Sequence, residues 1–295
     1  MTEVRATSVA QPEHGDERVP ESATKNRVAP EIARSWLLVS AAHPDRFTAA
    51  STSRADQVIL DLEDAVDPAH KAAARANITD WFGEGHQAWV RINDLTSDFW
   101  EEDISALRGA VGLLGVVLAK TETAAQVTDA WHLLHARTPI VPLVESACGI
   151  EAATEIARAK GAFRLAFGSG DYRRDTGASA DDLAMAYPRT RLVVASRIGD
   201  LPGPIDGPTV GSTHSILRTQ SQTAVSLGLT GKLCLDAEQV PVINEVISPA
   251  TSEIDWAETF LRDFEERGRV VRDGSDPPRL ARAEKIMRLA AALTA

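Results

Sequence analysis

The chain has 295 residues, of which 44% are hydrophobic and 25% charged, enough to bury a large core as one big α/β domain or two smaller ones. Its net charge of −11 argues against nucleic acid and anionic membrane as general partners, although a local basic pocket remains compatible with it. Three absences predict a cytoplasmic protein: no apolar run reaches the roughly 18 residues of a membrane span; residues 1–30 carry Glu3, Glu13, Asp16, Glu17 and Glu21 instead of an apolar leader; and Cys148 and Cys234 are too few for a disulfide framework.

Residues 1–33 are polar, without sustained period, and read as a disordered or loosely packed tail. From Arg34 onward, short apolar runs alternate with amphipathic stretches. The runs are SWLLVS (35–40), QVILDLE (57–63), AWVRIN (88–93), LLGVVLAK (113–120), TPIVPLVE (138–145), FRLAFGS (163–169), PGPIDG (202–207) and KLCLD (232–236). Helical patterns fill 44–53, 68–82, 98–109, 121–136, 148–160, 180–198 and 211–227, then 237–247 after the last run. Strands alternating with helices pair in parallel, and eight such units predict a closed (β/α)8 barrel over 34–248, with a doubly wound sheet as the alternative. PGPIDG is the weakest of the eight, since its Pro and Gly also suit a plain loop. Residues 249–295 follow as a C-terminal helical extension.

What ends each run carries the chemistry. The second run closes on Glu63 and Asp64, the third on Arg91, the fourth on Lys120, the fifth on Glu145 and the sixth on Gly168-Ser169-Gly170-Asp171. In a barrel these carboxyl ends share one face, where active sites are built. Glu145 and Asp171 end neighbouring strands about 4.8 Å apart and could approach one ion. Two carboxylates with waters and a bidentate ligand make an oxygen shell suited to Mg²⁺ or Mn²⁺. The plainer alternative is that one of them pairs with Arg91 or Lys120. Asp61 and Glu63 have the same parity, so both would leave one side of a strand that persisted to Glu63. Lys71 and Arg75, i,i+4 on the helix that follows, fit an ordinary solvated face. The seven histidines lack metal-ligand spacing.

RSWLLVSAAHPDRF, VILDLEDAVDPAHKAAAR, WVRIND, LAKTET, PLVESACGI, AFGSGDYRRDTG and DGSDPPRLARA, in this order and spacing over roughly residues 34–290, resemble the citrate lyase beta-subunit family of CoA-ester lyases, in the HpcH/HpaI aldolase superfamily. The resemblance implies a (β/α)8 barrel assembled as a homotrimer or homohexamer. It also implies Mg²⁺-dependent cleavage or formation of a carbon–carbon bond in a 3-hydroxyacyl-CoA ester of malyl, citramalyl or citryl type. Carried onto this chain, it makes Glu145 and Asp171 the metal ligands and gives Arg91 the oxo-acid or thioester oxygen. Glu63 and Asp64 would then hold metal-bound water. Asp276, in the D-x-P-x4-A segment ending at Ala283, would be the base delivered to a neighbouring subunit, or a simple helix cap. Arg34, Lys71 and Arg75 are the basic candidates for the phosphates of CoA. The chain departs from the family at GKLCLDAEQ, where Asp236-Ala237 replaces a common His-Pro, and at LLVSAA, where Pro often follows Val. An aldolase on free oxo-acids, a thioesterase and a non-catalytic assembly subunit are the alternative functions.

Overall fold

Apolar residues of alternate parity on parallel strands need cover on both sides, and here they receive it by closure. A computed structural model describes residues 28–211 and 213–294. Its strands are β1 (Ser35–Ser40), β2 (Gln57–Asp61), β3 (Ala88–Ile92), β4 (Leu113–Leu118), β5 (Ile140–Val144), β6 (Ala166–Phe167), β7 (Ile205–Asp206) and β8 (Gly231–Cys234). Each pairs in parallel with the next, and β8 returns to β1 through Trp36–Leu233 and Leu37–Cys234, so the doubly wound alternative is overturned. PGPIDG contributes only the two residues of β7, yet these bridge β6 to β8 and complete the ring.

Trp36, Ile59, Trp89, Val117, Val141, Leu143, Ala166, Ile205 and Leu233 fill the barrel, with Trp36 and Trp89 edge to face at 5.1 Å. The opposite parity, including Leu37, Leu60, Val90, Val116 and Val144, packs outward against the helices. Burying each such side chain contributes roughly 1.5–3 kcal/mol. The helices are α1 (Phe47–Thr52), α2 (Lys71–Gly83), α3 (Trp100–Leu107), α4 (Ala124–Leu133), α5 (Ala147–Glu151), α6 (Ala153–Ala157), α7 (Ser169–Thr176), α8 (Asp182–Ile198), α9 (His214–Leu227) and α10 (Val240–Ile247). The stretch expected as one helix over 148–160 breaks at Ala152, whose ψ of 2° leaves the helical range.

The amino-terminal side of the barrel is plugged by Arg164. Its guanidinium donates to the carbonyls of Pro30, Ala33 and Gly203 and to Thr230 Oγ1, while Gln57 Nε2 donates to Val28 O. Residues 28–33 are therefore part of the barrel floor, which shortens the tail expected over 1–33; its residues 1–27 lie outside the described residues. At the other end of the chain, α11 (Thr251–Glu266) and α12 (Asp276–Thr294) form a hairpin. Ala257, Ala283 and Ile286 bury against one another with Trp256, Phe260 and Leu261 around them, a cluster separate from the two of the barrel.

Candidate active site

All eight strands point their carboxyl ends at one rim, and the charged residues there converge instead of facing water. Strand β2 stops at Asp61, two residues short of expectation, because the Asp61 carboxylate turns the chain. It accepts from Glu63 N at 2.9 Å and from Ala65 N at 3.3 Å. Asp61 also accepts Arg91 Nε at 2.7 Å and Nη2 at 2.5 Å, the side-on fork of a guanidinium on a carboxylate. Glu63 closes the arrangement, with Oε2 3.0 Å from Arg91 Nη1 and Oε1 2.8 Å from Lys120 Nζ. Burial works against the Arg91 cation, but Asp61, by charge and hydrogen bond, and then Glu63 and Glu145 outweigh it and raise its pKa. Arg91 is thus a fixed positive plane. With Asp61 taking two of its five N–H donors and Glu63 facing a third, at least two stay open to a ligand.

Lys120 follows β4 in a left-handed conformation, φ 48°, uncommon for a residue with a β-carbon and sustained here by contacts at both ends. Its backbone N–H donates to Glu145 Oε1 at 2.7 Å. Its ammonium lies among Glu63, Asp64 and Asp94. Burial lowers its pKa, but the Glu63 hydrogen bond and charge, with Asp64 and Asp94, raise it overall.

Glu145 and Asp171 come together through a glycine. A β-carbon at Gly168 would fall 2.2 Å from Glu145 Oε2, so only glycine lets the chain after β6 lie against that carboxylate before α7 begins. The helical stretches read from the sequence do not include this helix, which places Asp171 in its first turn. Asp171 Oδ1 faces Arg174 Nη1 at 3.3 Å, whereas Oδ2 is buried with no hydrogen-bond partner. Burial, with the charges of Glu63 and Asp171, pushes Glu145 up to about 8 against the opposing Lys120 N–H and Arg91. An orphaned buried carboxylate oxygen beside a carboxyl whose ionisation burial and neighbouring charge oppose fits a divalent cation. No group of three or more His, Cys, Asp or Glu side chains could hold a metal among the described residues; two carboxylates suit an ion that keeps several waters, as Mg²⁺ does.

This crowding has a consequence for the metal-free protein. A carboxyl near 4.5 when unfolded and near 8 when folded binds more protons in the folded state between those values. Stability should therefore fall as pH rises from about 4.5 to 8 and level off above, with a cost on the order of 5 kcal/mol at full ionisation. Thermal melts across that range, with and without Mg²⁺, check it. Added Mg²⁺ should flatten the fall, and a metal-independent melting temperature that stays constant from pH 5 to 8 would contradict the crowding.

Next to Arg91 a cavity of about 680 Å³ opens between the loops after β1, β2 and β8. Leu38, Ala49, Ala65 and Leu235 give it apolar walls, and Arg46, Asp64 and Asp236 are its charged groups besides Asp61 and Arg91. None of the three cations expected to serve phosphates faces it. Arg34 precedes β1, on the opposite side of the barrel, with its fork on Asp56 and Nη1 on Ser248. Lys71 is buried beneath the loop after β2, its ammonium donating to Leu62 O, Glu63 O and Asn93 Oδ1 at 2.6–2.8 Å. Arg75 is held by Asp103 and Glu102. The Lys71 and Arg75 face, expected to be solvated, instead turns inward against α3 and props up the loop that carries Glu63. Arg46 is the cavity's own additional cation; it lies within RSWLLVSAAHPDRF, but the sequence reading gives it no role. Asp61 and Lys120 were visible as strand ends, but their roles in fixing Arg91 and Glu145 depend on contacts between strands.

Asp276 is nowhere among these partners. Its carboxylate accepts from Arg272 N at 2.8 Å and pairs with Arg267 at 3.0 Å, both in the α11–α12 hairpin.

The HpcH/HpaI aldolase/citrate lyase family model matches residues 34–237, and the HpcH/HpaI aldolase C-terminal domain matches 252–294. The citrate lyase subunit beta-like protein of Mycobacterium tuberculosis H37Rv is 31% identical over 88% of this chain and 96% of its own length. The L-malyl-CoA/beta-methylmalyl-CoA lyase of Cereibacter sphaeroides ATCC 17025 is 29% identical over 79% of this chain and 84% of its own. Among solved structures, CitE of M. tuberculosis in complex with magnesium, acetoacetate and coenzyme A superposes with a TM-score of 0.74 at 28% identity, covering 88% of this chain and 99% of that one.

Proposed function

Since this chain belongs to the HpcH/HpaI aldolase/citrate lyase family, an enzyme family of carbon–carbon lyases, we propose that it cleaves or forms a carbon–carbon bond in a 3-hydroxyacyl-CoA ester of the malyl, citramalyl or citryl type with Mg²⁺. The supporting relatives are a malyl-CoA lyase by name and a CitE crystallised with magnesium, an oxo-acid and coenzyme A. The observation that carries the reading to this chain is the pair Glu145 and Asp171, one oxygen buried and unpartnered and the other carboxyl forced toward neutrality, beside a fixed Arg91.

Cleavage requires loss of the hydroxyl proton and rupture of the adjacent carbon–carbon bond. The departing electron pair passes into the thioester as an enolate, and the hydroxyl carbon leaves as the carbonyl of an oxo-acid. Mg²⁺, held by Glu145 and Asp171, would supply electrophilic pull on the oxygens it binds. Arg91, locked in plane by Asp61 and Glu63, offers its remaining N–H groups to an anionic oxygen without reorganising, which is where fixed donors act most strongly. The Lys120 N–H holds Glu145 in position, and its ammonium neutralises Glu63. The 680 Å³ cavity beside Arg91, of the size of small-molecule sites, would receive the acyl and pantetheine portion, with Arg46 the available partner for phosphate. A mass-spectrometric screen of acyl-CoA esters with and without Mg²⁺ tests the reading. Turnover of free oxo-acids without any CoA dependence would replace it with the aldolase alternative.

Arg91→Lys should preserve the barrel yet lose about ten- to a hundredfold in rate, corresponding to roughly 1.5–3 kcal/mol for a charge-assisted contact. An ammonium cannot hold the side-on fork to Asp61 and face a ligand together. Steady-state kinetics with near wild-type turnover would reduce Arg91 to a partner of Asp61.

A further inference from the structure

Strand β7 consists of Ile205 and Asp206 alone, well under the roughly five residues of an ordinary strand, and it meets β6 at the single pair Ala166–Ile205. Side chains supply what so short a ladder lacks. Ile205 and Leu233 point into the barrel, so their neighbours Asp206 and Lys232 point outward, beneath α8. There Arg189 of α8 sets Nε and Nη2 on the Asp206 carboxylate at 2.9 and 3.1 Å, and Lys232 Nζ adds a third bond at 2.9 Å. Asp206 and Lys232 are 0 and 1% exposed. Burial works to raise the Asp206 pKa, but the two cations hold it below the usual value. Buried charges of this kind seldom stabilise more than apolar packing would; what they fix is geometry. Lys232 Nζ has a further acceptor, Gly207 O, at 2.7 Å. Gly207 in turn lies directly against α7: a β-carbon there would collide with Ser169 Oγ and come within 2.9 Å of Ser169 Cβ and 3.0 Å of Phe167 O. Ser169 is the first residue of α7, and Asp171 stands in the same first turn. The start of α7 is therefore clamped, with Gly168 against Glu145 on one side and Ser169 against Gly207 on the other.

We propose that Lys232 is a positioning residue for Asp171: by holding the Gly207 carbonyl it sets Gly207 against Ser169, and so fixes how Asp171 approaches Glu145. The inference rests on these two carboxylates as the ligands of Mg²⁺. Asp206 keeps the Lys232 ammonium charged and in place. Arg189 bonds to Asp206 and Asp182, outside the path that runs from Lys232 through Gly207. Groups that orient a metal ligand from behind are felt in metal affinity on the scale of about ten- to a hundredfold, and Lys232 acts at one remove from that position.

Isothermal titration of Mg²⁺ on the full chain, well below its melting temperature, tests this. Lys232→Met should weaken Mg²⁺ binding about tenfold. Arg189→Met, which also breaks the buried triad, should lower the melting temperature but leave the affinity at the wild-type value. Gly207→Ala alters no charge and decides the question where Lys232→Met does not fold. It should weaken Mg²⁺ likewise, and adding Ser169→Gly, which removes both obstructing atoms of Ser169, should restore binding. A wild type that binds no Mg²⁺ removes the ligand assignment and this inference with it. Binding in the wild type that neither Lys232→Met nor Gly207→Ala weakens overturns the inference alone, as does an equal loss in Arg189→Met or a failure of Ser169→Gly to restore the Gly207→Ala protein.

Discussion

Asp171→Ala and Glu145→Gln are expected to lose Mg²⁺ binding and with it about two to three orders of magnitude in kcat, the scale on which removing a principal electrostatic group from an active site is felt. The two variants should differ in stability, and in an unusual direction. Glu145→Gln keeps an oxygen for the Lys120 N–H but carries no charge to desolvate. The metal-free variant should therefore melt above the metal-free wild type at pH 8, where the wild-type carboxyl is forced to ionise among Glu63 and Asp171. At pH 5, where that carboxyl is protonated in the folded protein, the difference should largely vanish. Removing function while gaining stability is what a site held against its own repulsion would do. Isothermal titration of Mg²⁺ together with thermal melts reads both effects. Unchanged Mg²⁺ affinity in either variant would withdraw the ligand assignment.

The barrel was legible because its strands are apolar runs ended by charge, and parallel strands separated by helices leave few topologies. The eight runs overshoot the true strands mainly at their carboxyl ends. There Glu63, Lys120 and Glu145 continue the sequence pattern after the ladder has stopped, since those residues turn to serve the rim. Helix α7 was missed for a local reason: SGDYRRDT has almost no apolar residue to reveal a period. Its end signals were nonetheless present, with Asp171 in the first turn, Arg173 and Arg174 in the last and Gly177 at φ 73° after it. The placement of the basic residues was hidden differently. Whether a basic helix face looks at solvent or at the next helix is a property of the closed ring, and Lys71 gives no local hint that three oxygens behind β2 await its ammonium. Arg46 sits inside RSWLLVSAAHPDRF yet received no role, because an arginine ending a short 3-10 turn does not show from sequence which side of the rim it faces; the cavity shows it.

The buried rim carboxylates leave the proton unaccounted for, and this gives Asp276 its expected role. Asp61 is saturated by Arg91 and two backbone N–H groups, Glu63 is held between two cations, and Glu145 and Asp171 are taken by the metal assignment. A base must then come from another rim carboxylate, such as Asp64, Asp94 or Asp236, or from outside the chain's own barrel. The hairpin departs from the floor side, where Ser248 contacts Arg34, and α11 spans about 24 Å before the turn that carries Asp276. Its apolar residues pack on each other and not into the barrel's own clusters. We propose that this arm lies over a neighbour. Asp276→Asn should abolish turnover and leave Mg²⁺ affinity unchanged, because the base is lost and the ligands are not. If each site combines Arg91 of one subunit with Asp276 of the next, inactive Asp276→Asn and inactive Arg91→Ala subunits mixed in equal amounts should regain about one quarter of wild-type activity, as random assembly leaves that share of junctions intact in a head-to-tail ring. Mixed oligomers, shown by mass spectrometry to form, that remain inactive would return Asp276 to its local partners Arg267 and Arg272 and move the base to a rim carboxylate such as Asp64, Asp94 or Asp236.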